Sequence, residues 1–428
     1  MTERMKDYGG SFFAGAGLEH FARPALAALG REYMLFGHLL NRGALPYVHM
    51  QLGAEARERV AIEEWMGASP IYTRRMQRSL RFAGDDVGTI FKGLQLDVGF
   101  AHQYMDVRYE LESERRGFFW LQRCGALVEV EPFGEAAVRS MCHAIEDPTF
   151  DATAVATNPR ARCRPVHRPP RVPADRVPHC RWEVAIDPDA EPLREIDLTR
   201  RVRASRLARC ALTAPPEDRS GGWPDYSGPF APDFHLELLS HAALIRVCGE
   251  LLVQDHLLVR SLMMTLAERA GEDVAAQIAT AQWIGTGAVA SARLRAVLGI
   301  AADGAEATLK VLQLHPAFLP GYTRVGFALL AADRGRFWIE DCDALNEGDR
   351  HSWFALLDAA PHPALDAMVR AVNPRARCVP IAPPAGARLA WEVIVDAAAA
   401  PAPEPPEVGL VASSGTAQFV FRPHEVRG

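Results

Sequence analysis

Five side chains in the first part of this sequence could do chemistry together: Cys124, Cys142, His143, Asp147 and Cys180. His143 and Asp147 are four residues apart in a predicted helix, so they share one face and the carboxylate can orient the imidazole. Thiolates, an imidazole and a carboxylate are also suitable ligands for zinc or iron. The set predicts a site, and more than one chemistry is open to it.

One interpretation is catalytic, and a second is metal binding. In a catalytic site Cys142, or Cys124, is the nucleophile, His143 is the base, and Asp147 orients His143. In a metal site, zinc or iron is held by Cys124, Cys142, His143 and Cys180. A third interpretation is structural, because free cysteine often packs as a small apolar side chain. No Cys-x-x-Cys pair is present, so the strongest zinc signature is missing.

Four predicted strands and a short helix must position these residues. Residues 103–113 alternate apolar and polar side chains, which is typical of a half-buried strand, and a turn leads into a second strand that ends at Cys124. A short helix is predicted over 135–147. On the last strand Cys180 shares a face with Trp182 by the two-residue period. If the strands pair, Cys124 and Cys180 converge on one sheet face, with the helix lying over it.

The segment around Cys124 occurs twice. RGFFWLQRCGAL at 116–127 returns as RGRFWIEDCDAL at 334–345, a separation of 218 residues (334 − 116 = 218). The separation falls to 215 at the repeated NPRARC motif (373 − 158 = 215), because the second copy has shorter loops. The chain is therefore predicted to be a tandem duplication.

The predicted fold class is α+β, with two pseudo-repeats. Each pseudo-repeat begins with a helical subdomain and continues with a small antiparallel α/β subdomain. The predicted bounds are 1–186 for the first repeat (helical 18–100, α/β 103–186), 187–232 for a linker, 233–396 for the second repeat and 397–428 for a low-complexity tail.

The second copy lacks most of the candidate site. Four positions differ together: Leu357 stands in place of Cys142, Asp358 of His143, His362 of Asp147 and Leu389 of Cys180. Two cysteines of the first copy, Cys124 and Cys163, are retained as Cys342 and Cys378, and we expect Cys163 and Cys378 to pack in the core. The comparison predicts that the first copy bears the site and that the second, degenerate copy is a scaffold.

Two residues of the helical part are candidates for substrate binding. His38 and Trp65 recur as His256 and Trp283 in the same register (256 − 38 = 218). A lone histidine on an apolar helix face is more often a satisfied core residue than a ligand, and the tryptophans also suit a core. The functional interpretation is a crevice between the helical and α/β parts, lined by His38 and Trp65.

Composition and charge exclude several kinds of partner. The net charge of −6 gives no electrostatic reason to expect a nucleic acid. No apolar stretch approaches the roughly 20 residues that cross a bilayer, so no membrane contact is expected. The N-terminus lacks the pattern of a signal peptide, and the expected location is the cytoplasm, where disulfides are rare. No glycine-rich phosphate loop is present, so no nucleotide cofactor is expected.

The order of these motifs resembles a known family. FWLQRC at 119–124, CHAIED at 142–147, NPRARC at 158–163 and HCRWEV at 179–184 look like the L-2-amino-thiazoline-4-carboxylic acid hydrolase-like proteins. These are related to the 4-vinyl reductase type of small-molecule-binding domain. The resemblance implies a hydrolase-like enzyme that opens a C–N bond in the ring of a small-molecule substrate. The alternative is a non-catalytic module that binds or senses a small molecule or a metal.

Overall fold

The protein combines helices with two separate four-stranded antiparallel sheets, which confirms the α+β class. The computed structural model describes residues 4–213, 215–216, 221–414 and 417–418. We call 4–213 the first half and 221–414 the second half. Nearly all of the predicted tail beyond 414 lies outside the described residues.

The two halves have similar series of helices and strands. The first half contains α1 Arg23–Leu52, α2 Ala54–Ser79, α3 Val87–Leu94, β1 Met105–Ser113, β2 Arg116–Cys124, α4 Gly125–Val130, α5 Glu135–Arg139, a π-helical turn Ser140–Ile145, α6 Glu146–Val155, β3 Ala161–His167, β4 Cys180–Ile186, α7 Asp197–Arg203 and α8 Arg206–Arg209. The second half contains α9 His241–Ala270, α10 Glu272–Val297, α11 Ala305–Gln313, β5 Val325–Ala331, β6 Arg334–Glu340, a 3-10 turn Trp353–Leu356, α12 Pro363–Arg370, β7 Ala376–Pro380, β8 Ala387–Val395 and α13 Pro406–Ala412.

A glycine separates the two long helices of each half. Gly53 has φ 86° and ends α1, and Gly271 has φ 92° and ends α9. Glycine adopts positive φ without the steric cost that a β-carbon would add, so the helix can stop and the next one can start at once. The result is a helical hairpin in each half.

The two hairpins pack into a single bundle, in which α1 lies against α10 and α2 lies against α9. Small residues allow these close approaches. A β-carbon on Gly43 would lie 2.8 Å from Thr286 Cγ2, and one on Gly67 would lie 2.1 Å from Ser261 Oγ. The long helices of both halves therefore contribute to one large hydrophobic core, and a smaller separate cluster lies among the same four helices.

Both sheets have the same strand order, β1-β2-β4-β3 in the first and β5-β6-β8-β7 in the second. Phe119 lies opposite Trp182 in the first sheet, and Phe337 lies opposite Trp391 in the second. All four rings are buried. The first sheet has its own hydrophobic core, whereas the core of the second sheet is continuous with that of the bundle.

Cys163 and Cys378 occupy equivalent places on the edge strands β3 and β7. They are 2% and 3% exposed, and each backbone N–H donates to an aspartate over 2.8 Å, to Asp151 and to Asp366 respectively. Both thiols pack in a core, as expected from the sequence.

The segment before the first long helix of each half lies on the other half. The N-terminal arm, residues 4–22, packs on α11, where Lys310 Nζ donates to Gly10 O and Gln313 Nε2 donates to Phe13 O. The arm at 223–240 packs in the same way on α3. Each half therefore covers a helix of the other.

The predicted linker and tail both contribute packed helices. Within the linker, α7 lies against α2 and α9. Within the tail, α13 lies against α10, where a β-carbon on Gly285 would lie 2.5 Å from Glu407 O. The tail is thus part of the packed structure up to residue 412.

Candidate functional site

Three of the predicted site cysteines lie near one another in the first half. Cys124 ends β2, Cys142 lies in the π-helical turn, and Cys180 begins β4. Their side chains are 3%, 2% and 5% exposed. The thiols interact electrostatically with one another: Cys124 and Cys180 both raise the pKa of Cys142, and Cys124 raises that of Cys180. We call these three residues the thiol cluster.

Glu146, which was not among the predicted site residues, also lies beside the thiol cluster. Its carboxyl interacts with all three thiols. Its Oε2 atom is buried and has no hydrogen-bond partner within the described residues. Burial, with a smaller effect of Asp147, raises the pKa of Glu146 to about 8. A neutral carboxylic acid therefore lies beside the thiol cluster at neutral pH.

Helical phase explains why Glu146 faces the thiols. The buried positions around this helix are Val138, Cys142, Ile145 and Thr149, at alternating spacings of four and three. Glu146 follows Cys142 by four residues and shares its face. The same four-residue spacing relates His143 to Asp147, the pair predicted from the sequence, so spacing alone does not single out Glu146.

The structure places His143 and Asp147 outside the thiol cluster. His143 Nε2 donates to Pro169 O over 2.6 Å, and Asp147 forms an ion pair with Arg168. No hydrogen bond joins His143 to Asp147 among the described residues. The predicted orientation of His143 by Asp147 is therefore not formed, and neither residue is bonded to the Cys142 thiol.

Burial keeps all three thiols protonated. It raises the pKa of Cys124 to about 12, and it raises the pKa values of Cys142 and Cys180 further, with Glu146 as the next cause for each of the three. A thiolate is the reactive and metal-binding form, and such thiols are inert unless a ligand changes their surroundings. The folded site thus contains neutral, apolar thiols.

The residues of the site do not fit a metal ion as they are arranged. Among the side chains that the structure describes, no group of three or more His, Cys, Asp or Glu is placed to hold one. The predicted zinc or iron set of Cys124, Cys142, His143 and Cys180 is therefore not assembled among the described side chains.

His38 and Trp65 meet at the turn before β1. His38 Nε2 donates to Gly99 O over 3.0 Å, and a β-carbon on Gly99 would lie 3.3 Å from the Trp65 ring. Burial lowers the pKa of His38 to about 4, so the imidazole is neutral at pH 7. Both side chains are half-buried, at the boundary between α1, α2 and the sheet.

Tyr104 connects these residues to the thiol cluster. Its ring centroid is 4.5 Å from that of His38. On its other side the ring lies on Gly125, where a β-carbon would be only 2.0 Å away, next to Cys124. Tyr104 also packs against both the bundle core and the first sheet core. Tyr104 therefore links His38 and Trp65 to the thiol cluster, which belongs to the core of the first sheet.

A buried ion pair in this region was also missed from the sequence. Arg42 Nη1 lies 3.1 Å from Glu129 Oε1, and Tyr104 forms a hydrogen bond with Glu129. The 218-residue separation could have revealed the set, since Arg260, Glu347 and Tyr322 stand at the equivalent positions (260 − 42 = 218).

In the second half this set has a structural role. Tyr322 Oη donates to Glu347 Oε1 over 2.7 Å. The Glu347 carboxylate also accepts from the backbone N–H groups of Arg206 and Leu207, over 2.9 and 2.7 Å, at the start of α8. Glu347 therefore anchors the linker to the second half.

The place of the thiol cluster is apolar in the second half. Leu389 lies opposite Ile339 in the second sheet, as Cys180 lies opposite Leu121 in the first. Leu357, which stands in place of Cys142, is buried after the 3-10 turn rather than in a π-helical turn. The thiols of Cys142 and Cys180, with Glu146, are thus features of the first half, whereas Cys124 has a counterpart in Cys342.

Comparison of the chain with family models, with curated proteins and with solved structures found no match. The resemblance to the thiazoline carboxylate hydrolase-like proteins therefore stays a prediction. Of the helices that the structure describes, none combines the length and the apolar character needed to span a bilayer.

Proposed function

We propose that the first half binds a small organic molecule in the region between His38, Trp65, Tyr104 and the thiol cluster. The observation that carries the proposal is the position of Tyr104, which contacts His38 on one side and lies beside Cys124 on the other. Ligand sites occur preferentially between separately packed units, and Tyr104 lies where the two cores meet.

The protonation states suggest the chemistry of the ligand. His38, the three thiols and Glu146 are all uncharged at pH 7. The nearby Arg42 is paired with Glu129. Uncharged hydrogen-bonding groups among aromatic rings favour a neutral heteroaromatic or apolar molecule over a phosphate or a free carboxylate.

The first and second halves would then have different tasks. In this proposal the chain is a tandem duplication, each copy with a helical part followed by a small α/β part like that of 4-vinyl reductases, and the second copy is degenerate. It supports the bundle and the arms, while the first copy keeps the ligand site. The apolar Leu357 and Leu389 in place of Cys142 and Cys180 support this division.

A hydrolase-like reaction is the second candidate, and Glu146 is the observation that favours it. A carboxyl group with a pKa of about 8 can act as a general acid at neutral pH. Glu146 would first donate its proton to the ring nitrogen. The resulting carboxylate would accept the Cys142 thiol proton as the sulfur attacks the adjacent ring carbon, and the C–N bond would break with the nitrogen leaving as an amine. Water would then displace the sulfur and restore the thiol. Glu146 here takes the role that the sequence suggested for His143.

Ligand-observed NMR with a library of neutral heteroaromatic fragments tests the binding proposal. We expect hits for the wild-type protein that are lost in Cys142→Leu, which introduces the residue found in the second half. The matched control is Cys163→Val, which replaces a buried thiol of the same hydrophobic core outside the thiol cluster and should keep the hits. Loss of binding in both variants, or in neither, would contradict the proposal.

Two further measurements separate the alternatives. Turnover of a bound heterocycle by wild-type protein and its loss in Glu146→Gln would select the enzyme. Elemental analysis of the purified protein tests the metal interpretation. One zinc or iron per chain that disappears in Cys142→Leu would show that the thiol cluster binds a metal, and it would contradict the conclusion that these residues do not fit one.

A further inference from the structure

A proline-rich segment of the first half is bonded to the π-helical turn and to the start of α6. We call residues 168–178 the strap. At its base Pro169 is buried and its carbonyl accepts from His143 Nε2 over 2.6 Å. At its tip Val172 is 77% exposed and Val177 is 55% exposed. The strap is therefore attached at one end and projects into solvent at the other.

Two ion pairs hold the base of the strap. Arg168 pairs with Asp147 at the start of α6. Arg171 makes a bidentate pair with Glu131, with distances of 2.8 and 2.9 Å. All four side chains are partly exposed, so these pairs are weak and are screened by salt.

The two arginines of the strap lie on either side of the candidate site. Arg168 is close enough to Glu146 to lower its pKa, against the larger effect of burial. Arg171 likewise interacts with His179, whose Nδ1 accepts from the backbone N–H of Cys124. The base of the strap thus lies beside both ends of the thiol cluster.

The second half has no equivalent of the strap. The connection between β3 and β4 spans 168–179, which is 12 residues (179 − 168 + 1), whereas that between β7 and β8 spans 381–386, which is 6 residues (386 − 381 + 1). Asp147 and His143 are also absent there, as are the thiols of Cys142 and Cys180. The strap, its attachments and the thiol cluster therefore occur together.

We propose that the strap is a gate over the thiol cluster, with Asp147 and Glu131 as its latch. Opening breaks both ion pairs and the bond to His143, and it exposes Glu146 and Cys142 to solvent. The two weak pairs allow opening without unfolding of the sheet. This inference rests on the proposed function in one respect, since the gate controls entry to the proposed ligand site.

Site-resolved alkylation tests the gate on the full-length protein. Iodoacetamide is uncharged, so salt does not change its approach, and mass spectrometry gives the rate at each cysteine. In Arg168→Gln combined with Arg171→Gln, which removes both ion pairs but no negative charge near the thiol, we expect Cys142 to react about two- to thirtyfold faster, from the loss of two exposed ion pairs. High salt should accelerate the wild type and leave the double variant unchanged.

The controls separate gating from a general loosening. Glu135→Gln removes the exposed ion pair with Arg139 on the neighbouring α5 and should leave the rate at Cys142 unchanged. Cys163 and Cys378 report on the two cores and should stay slow in every variant. Equal acceleration at Cys163, or no acceleration at Cys142, would overturn the gate. The experiment needs no ligand, so faster labelling of Cys142 alone supports the gate even if the fragment screen finds no binder.

Discussion

Tyr8 Oη donates a hydrogen bond to Gln313 Oε1 over 2.7 Å, which joins the N-terminal arm to α11 of the second half. Tyr226 Oη donates the equivalent hydrogen bond to Gln95 Oε1 over 2.8 Å, which joins the arm of the second half to the end of α3 in the first half. Both pairs have the same relation in sequence (226 − 8 = 218; 313 − 95 = 218). Because each arm completes the opposite half, we expect the halves to unfold together.

Removing either tyrosine hydroxyl should lower the free energy of unfolding of both halves together. Tyr8→Phe and Tyr226→Phe each leave a buried glutamine oxygen with one partner fewer, so we expect a loss of about 1–3 kcal/mol in the free energy of unfolding. Urea unfolding followed by circular dichroism should show one transition in both variants. Tyr47→Phe is the control, since no hydrogen bond of the Tyr47 hydroxyl is found among the described residues. Two separate transitions would contradict the mutual completion of the halves.

Glu64→Gln should stabilise the protein above about pH 6. Glu64 on α2 is fully buried, neither carboxyl oxygen has a partner within the described residues, and burial raises its pKa well above the usual value. The equivalent residue in α10 is Gln282, whose Nε2 donates to Leu40 O over 3.0 Å. A glutamine is thus already accommodated at the equivalent helix contact.

The sign of the pH dependence follows from the raised pKa. Between the unfolded pKa, near 4.5, and the higher folded pKa, the folded state binds more protons than the unfolded state, so stability falls as pH rises. Glu64→Gln removes this contribution. Thermal unfolding from pH 4 to pH 9 should show equal stabilities near pH 4 and a growing advantage for the variant at higher pH. A variant that is less stable at pH 8 would contradict the account.

Glu250→Ala should be strongly destabilising. Glu250 and Arg75 form a bidentate pair between α9 and α2, at 2.8 and 3.1 Å, and both are buried. Removing the carboxylate leaves the guanidinium buried, with the carbonyls of Ala208 and Cys210 as its hydrogen-bond partners among the described residues. We expect a loss of about 3–5 kcal/mol in the free energy of unfolding, measured by urea denaturation.

The control for this prediction is an ion pair at the surface. Glu55→Ala removes the exposed pair with Arg59 at the start of α2, and it should cost less than about 1 kcal/mol. Similar losses in the two variants would mean that the buried pair adds nothing beyond its surface counterpart.

Much of the architecture could be predicted from local patterns. Apolar residues at helical spacing indicated the long helices, and two-residue alternation indicated β1 and β4. The repeat related Phe119 to Phe337, 218 residues later (337 − 119), and Trp182 to Trp391, 209 residues later (391 − 182). These signals lie within a few turns or one strand, so no knowledge of distant contacts is needed. The exchange of arms could not be predicted, because it depends on contacts between segments about 300 residues apart, such as Tyr8 and Gln313.

The sequence by itself determined the α+β class, the pairing of similar segments and the presence of a distinctive set of cysteines in the first half. Only the tertiary structure decided which neighbours the cysteines have. Because each residue of a helix turns the side chain by about 100°, Glu146 faces Cys142 while Asp147, one residue later, faces the strap. The protonation of Glu146 was also decided there, since burial among packed side chains keeps uncharged a carboxyl group that is ordinarily ionised at pH 7.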